Sequence, residues 1–212
     1  MTKAVASDPA PASGTSIRER ILAAAFRAFM EKGYAATSTL EIATRAKVSK
    51  RDLYANFGTK QAMLVACIAS RAARMRLAPE LPAPRSRAML ASTLTTLGTT
   101  VVREVCHPQV LATYRLAIAE AGRSPEVAET LNTSRSANRD ALVELLAGAQ
   151  RAGLLRSSDP RRMMEQFFAL LWGDLLLSQL LGVAAVPKPK EIEQRARKAT
   201  EEFLELYDKP MT

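Results

Sequence analysis

The chain has 212 residues, 48% of them hydrophobic, and a formal net charge of +9. That length buries a substantial core, is long for one small domain and short for two independent ones, so a small head on a larger body is expected. Two cysteines, Cys67 and Cys106, are too few for a disulfide-stapled secreted scaffold and lack metal-ligand spacing, which makes a reduced cytoplasm the default location.

Charge is spread unevenly. Through Arg76 there are 13 Lys/Arg against 5 Asp/Glu, and from Leu77 onward 17 against 16, a balance of +8 versus +1. A basic head beside a near-neutral body is the electrostatic footprint of a nucleic-acid binder.

Residues 1–15, MTKAVASDPAPASGT, mix Pro, Ala, Ser and Gly without an apolar core segment, and read as a disordered arm in place of a signal peptide. Ser16 with Glu19 opens the first helix, whose apolar positions Ile17, Ile21, Ala24, Ala25, Ala28 and Phe29 repeat at helical spacing until Gly33. Ser38 with Glu41, and Ser49 with Asp52, fit the capping-box pattern, so two further helices begin eleven residues apart. Ile42, Ala43 and Ala46 form the buried stripe of the first of these, Val48 plugs the turn, and Leu53 with Phe57 anchor the second. That is a helix-turn-helix. The outward face of its second helix carries Lys50, Arg51, Tyr54 and Asn56, which suit phosphate oxygens and base edges.

Thr59 caps a fourth helix running to about Leu77, and Pro79, Pro82 and Pro84 then break the chain. Beyond them, residues 85–105 and 108–121 read as helices five and six. Ser124 with Pro125 opens a long seventh helix that closes near Gly153, Asp159 and Pro160 open an eighth through about Leu181, and residues 188–207 form a ninth. Neither strand alternation nor an internal repeat is visible. The expected fold is all-α, a three-helix head plus a C-terminal helical bundle, about nine helices in total. The expected organisation is an arm (1–15), a DNA-binding head (16–60), a connecting helix (61–78) and a body (79–212). Residues 167–186 are largely apolar, but Asp174, Ser178 and Gln179 lie in their middle, and a charge at a bilayer centre costs roughly 2.5–3.5 kcal/mol. A buried interface helix explains this stretch better than a membrane span.

The head resembles the TetR/AcrR-type transcriptional regulators. Their module runs F-x-x-x-G-[YF], T-x-x-x-I-A, A-x-V-S, L-Y-x-x-F and [SPT]-K. Here these elements are Phe29 to Tyr34, Thr39 to Ala43 (one residue shorter, as T-x-x-I-A), Ala46 to Ser49, Leu53 to Phe57, and Thr59-Lys60, in order along the chain. Residues 113–131 and 151–173 are similar to the ligand-binding half of the AefR-like subgroup. The resemblance implies a homodimeric repressor, released from an inverted-repeat operator by an apolar small-molecule effector in the body. Helix four crosses head and body and is the natural lever between them. DNA contacts are expected from Thr39, Ser49, Lys50, Arg51, Tyr54, Asn56 and Lys60. Candidate pocket residues are Leu97, Val101, Tyr114 and Ile118, with Phe167, Leu171, Trp172 and Asp174 on the eighth helix. Asp174 on an apolar helix is expected to pair across a dimer or meet a ligand. Dimerisation is assigned to the last two helices through Leu175, Leu176, Leu180 and Phe203.

Two positions depart from the family pattern. Arg51-Asp52 replaces a common pair of small residues, and Asp52 suits either cytosine N4 or helix capping. Lys47 replaces the turn glycine, at a cost of about 1 kcal/mol if the backbone there has positive φ.

An enzyme is not expected. His107, the only histidine, precedes Pro108 as a helix-entry residue, nucleophile-elbow, zinc-protease and phosphate-loop motifs are absent, and Asp140, Glu144 and Glu165 read as a solvated face. No cofactor or metal is implied. The alternative from another class is a helical small-molecule carrier or scaffold whose basic head is only a solvated surface.

Overall fold

The computed structural model describes residues 16–74 and 83–208. The expected arm, the end of helix four and the break at Pro79 and Pro82 lie outside them. Within the described residues the fold is all-α, with no strand. In the head, α1 is Ile17–Lys32, α2 Thr39–Ala46, α3 Lys50–Phe57 and α4 Lys60–Arg74. Six more follow: α5 Arg87–Val105, α6 Pro108–Glu120, α7 Pro125–Arg151, α8 Pro160–Trp172, α9 Leu175–Leu181 and α10 Pro189–Leu206. The chain divides into two units inside α4, between Cys67 and Ile68.

In the first unit, Ser16 and Glu19 exchange side-chain and backbone hydrogen bonds to start α1, and Gly33 at φ 81° ends it. Ile21, Ala24, Ala25, Ala28 and Phe29 are buried, and Phe26 joins them, whereas Ile17 at the first helical position is nearly half exposed. Only α1 and α3 carry the full capping box there. At α2 the Ser38 hydroxyl accepts from the Glu41 amide, but the Glu41 carboxylate turns to Lys32 and Arg45, at 2.8 and 2.6 Å. Two cations outcompete one backbone amide for that carboxylate. Thr37 is buried and gives its hydroxyl proton to Ala28 or Gly33 carbonyl oxygens, which ties the α1–α2 loop to the end of α1.

In the second unit, α10 packs on α5 and α8, and α8 packs on α7. Leu90, Leu94, Phe167, Leu171, Ala196 and Phe203 are fully buried at their meeting. Phe167 and Phe203 meet edge to face with centroids 5.6 Å apart. α5 approaches closely because residue 98 is glycine: a Cβ there would lie 3.1 Å from Leu171 Cδ1 and 3.2 Å from Ala196 Cβ. Ser124 precedes α7 as expected but makes no side-chain cap bond.

The expected eighth helix is two helices. Gly173, at φ 45°, donates its amide to Ala169 and ends α8, and Asp174 restarts the chain as the N-cap residue of α9. Arg195 Nη1 donates to the freed Leu171 carbonyl at 3.2 Å, stabilising the break from α10. Hence Trp172 is at a helix end and not mid-helix. Among the described residues no helix is long and apolar enough to cross a membrane.

Candidate nucleic-acid interface and cavity

The turn between α2 and α3 is a Schellman closure. Val48 N–H donates to Ala43 O at 3.1 Å and Lys47 N–H to Thr44 O at 3.2 Å, with Lys47 left-handed at φ 54°, ψ 51°. The same bonding pattern closes α7 and α9, and there the left-handed residue is Gly153 or Gly182. Lys47 is the one non-glycine residue at positive φ among the described residues. It carries strain that glycine would not, on the order of 1 kcal/mol.

Ser49 caps α3 reciprocally with Asp52: the Asp52 amide donates to Ser49 Oγ at 3.0 Å, and Ser49 Oγ donates to Asp52 Oδ2 at 2.6 Å. These bonds from Ser49 hold the Asp52 carboxyl below its ordinary range. Of the two readings of Asp52, the cap is the one built in the fold. Leu53 and Phe57 point inward and are buried, leaving Lys50, Arg51, Tyr54 and Asn56 exposed. Asn56 Nδ2 donates back to Asp52 O at 2.8 Å, which fixes its amide along the helix. Thr39 Oγ1 and Tyr54 Oη lie 3.1 Å apart, so the hydroxyls expected to reach phosphate form one pair bridging α2 and α3. Lys60 Nζ is docked on the α1–α2 loop, 3.3 Å from Ala35 O and 4.3 Å from the Tyr34 ring centroid. Arg45, bound to Glu31 and Glu41, braces α2 against α1; sequence reading had not singled it out.

The second unit contains a cavity of about 140 Å³. Val101, Glu104 and Val105 of α5 and Tyr114 of α6 form part of its wall. Leu131, Arg135, Asn138 and Arg139 line it from one face of α7, while Phe168, Trp172 and Leu176 come from α8 and α9. Burial pushes the Tyr114 hydroxyl above its ordinary range, and the Arg135 charge pulls it back.

Of the expected pocket residues, Val101, Tyr114 and Trp172 line this cavity. The others lie elsewhere for identifiable reasons. Leu97, Phe167 and Leu171 are consumed by the contact among α5, α8 and α10. Ile118 is 60% exposed on α6. Asp174, placed outside both helices by the Gly173 break, is exposed and accepts a hydrogen bond from Ser178 Oγ at 2.5 Å. Phe203, expected at a dimer interface, is fully buried in the subunit's own core, against Phe167 and Tyr207. Leu175, Leu176 and Leu180 are half-buried. The exposed apolar residues around α9 are instead Leu177, Leu181, Val183 and Val186. The α7 lining was readable as Leu131, Arg135, Asn138 and Arg139, spaced for one helix face, but nothing in the sequence said which face met the cavity.

Residues 21–67 match the family of bacterial regulatory proteins named tetR, and residues 92–209 match the AefR-like transcriptional repressor C-terminal domain, which is more than half of the chain. The chain belongs to the TetR family of transcriptional regulators. It is therefore a DNA-binding regulator, with its helix-turn-helix in α2 and α3 and an AefR-like C-terminal domain in the second unit. Among similar proteins, the uncharacterised regulator YvkB of Bacillus subtilis strain 168 is 24% identical over 173 residues, 82% of this chain and 88% of YvkB. A TetR regulator from Agrobacterium tumefaciens is 29% identical with a TM-score of 0.77, covering 90% of this chain and 94% of that one. The flavonoid-responsive regulator FrrA is also 29% identical, with a TM-score of 0.75 over 92% and 98% of the two chains.

Proposed function

We propose that this TetR-family regulator is a homodimeric repressor that grips an inverted-repeat operator through α2 and α3 of each subunit and lets go when a small molecule fills the second-unit cavity. The observation carrying the DNA half is the bridged hydroxyl pair of Thr39 and Tyr54 beside exposed Lys50 and Arg51: donors and cations converge on one face of the helix-turn-helix. Thr39, Tyr54, Ser49 and Lys60 contact phosphates, Arg51 is the residue that reads bases, and Asn56, five residues further along α3, is a further DNA contact. Two-fold symmetry sets the recognition helices one turn apart, roughly 34–36 Å, or at a multiple or local distortion of that spacing.

Surface chemistry supports the homodimer reading. Leu177, Leu181, Val183 and Val186 are each more than half exposed, which is a large apolar set for one short helix and its trailing segment to leave in water. Burying them against a second copy, together with α10, builds a four-helix interface. FrrA is flavonoid-responsive, which supports control of this chain by a small molecule as well.

The test selects duplex fragments from a random pool and measures their affinity against salt. An inverted-repeat consensus with a steep log–log salt slope is expected, since each neutralised phosphate contributes about −0.9 to the slope. Arg51→Ala should relax preference at one position of each half-site, whereas Lys60→Ala should weaken all sequences alike and lower the slope by about one. Salt-independent binding without a consensus would return the chain to the class of helical carriers.

A further inference from the structure

The cavity's lining is not uniformly apolar, and its polar members differ in how they are satisfied. Glu104 has a cation within reach, Arg103, at 3.5 Å. Arg135 and Arg139 have no carboxylate within ion-pair distance among the described residues. They lie four residues apart on α7, so they are neighbours on one helix face and both reach the same cavity. The Tyr114 phenol lines the same cavity, within range of the Arg135 charge. The cavity thus gathers two guanidiniums outside any ion pair, one carboxylate, Glu104, and a phenol hydroxyl, so two cations against one anion leave its wall net positive. It also has two aromatic rings, Phe168 and Trp172, one helical turn apart on α8.

A purely apolar ligand closing this space would strip water from half-buried Arg139, and only in part from exposed Arg135, without replacing it, and that desolvation costs free energy. A cation would add like charge. An anion repays the loss, because guanidinium and carboxylate pair in a planar, two-bond geometry and the Tyr114 hydroxyl adds a donor. Size narrows the choice further: about 140 Å³ is close to the ~150 Å³ that accommodates a single benzene ring. Phe168 and Trp172 offer that ring offset or edge contacts.

We infer that the ligand of this cavity is a compact aromatic carboxylate, its carboxylate held by Arg135, Arg139 and Tyr114 and its ring by Phe168 and Trp172. This deepens the effector reading given above and rests on it. The probes are benzoate, the neutral benzamide and benzylammonium, titrated into the full-length protein by calorimetry and by quenching of Trp172, the only tryptophan. The acid should bind at least about tenfold more tightly than the amide, equivalent to about 1.4 kcal/mol, and the ammonium weakest. In Arg135→Gln/Arg139→Gln the acid's advantage should vanish while amide affinity stays within about twofold, with circular dichroism and melting checking the fold. Arg135→Gln alone, at an exposed position, gives a milder version of the same test.

Equal binding of acid and amide in the wild type overturns the proposal but leaves a neutral-ligand effector site standing. An acid preference that survives unchanged in the folded double variant also overturns it, since the anion then binds elsewhere, as on the basic head. If none of the three compounds binds, the proposal fails, and use of the cavity as an effector site fails with it for ligands of this size.

Discussion

At the residue scale, Lys47 shows the sequence and the backbone in open conflict. Two other helices among the described residues, α7 and α9, close with the same hydrogen bonds and use glycine at the left-handed position, whereas the turn of the helix-turn-helix uses lysine. Lysine gives up about 1 kcal/mol there. A lysine in that place gains something only if its charge is used, and its side chain is exposed in the turn leading directly into α3. Lys47→Gly is therefore expected to raise thermal stability by about 1 kcal/mol and to weaken binding to every duplex sequence, lowering the salt slope by about one. Calorimetric melting and fluorescence anisotropy at several salt concentrations check the two halves separately. Raised stability with unchanged DNA affinity would show strain without a phosphate contact. The departure was legible in the sequence as a missing glycine, but the sign of φ needed the fold.

At the element scale, caps and breakers were read from the sequence more securely than partners. Ser16, Ser49, Thr59 and Asp159 start helices where expected because a cap is a local exchange between a side chain and an amide within three residues. The split of the long apolar stretch into α8 and α9 was missed, since Gly173 inside a helical pattern is ambiguous until something receives the freed carbonyls. Arg195, more than twenty residues later, is what receives them. Gly98 is the converse case, a glycine inside an unbroken helix. Replacing it with alanine gains helix propensity, about 0.5–1 kcal/mol. The new methyl, however, would press on Leu171 at 3.1 Å and on Ala196 Cβ, which no side-chain rotation can move, at 3.2 Å. Overpacking of that kind costs typically 1–3 kcal/mol, so it should win. Gly98→Ala is expected to destabilise by about 1 kcal/mol net, a fall in melting temperature of roughly 2–4 °C at this chain length. A rise in melting temperature would mean that α5 and α10 yield more easily than their packing suggests.

At the scale of the whole molecule, the unequal division of charge already separated a basic head from a near-neutral body, because charge is a property of composition and survives ignorance of contacts. The facing of helices does not. Phe203 and Leu177 are both large, apolar and helical, yet one is fully buried in the subunit's own core and the other 57% exposed. Only the packing of α10 on α5 and α8 distinguishes them. That difference makes the assembly testable. Leu177→Glu/Leu181→Glu puts two carboxylates on exposed positions, where a monomer tolerates them at little cost, within about 0.5 kcal/mol each. Across a symmetric interface each carboxylate meets its own copy or an apolar neighbour, and the penalty is incurred twice. The variant should sediment as a folded monomer and lose most of its affinity for an inverted repeat, while retaining weak, salt-dependent binding to a single half-site. Phe203→Ala should behave in the opposite way, opening a core cavity at about 3–5 kcal/mol and lowering the melting temperature before it touches assembly. If the double-glutamate variant remains dimeric by light scattering, the exposed leucines are not what holds two copies together. The contact must then use another face, because charge buried in an apolar seam has nowhere to discharge.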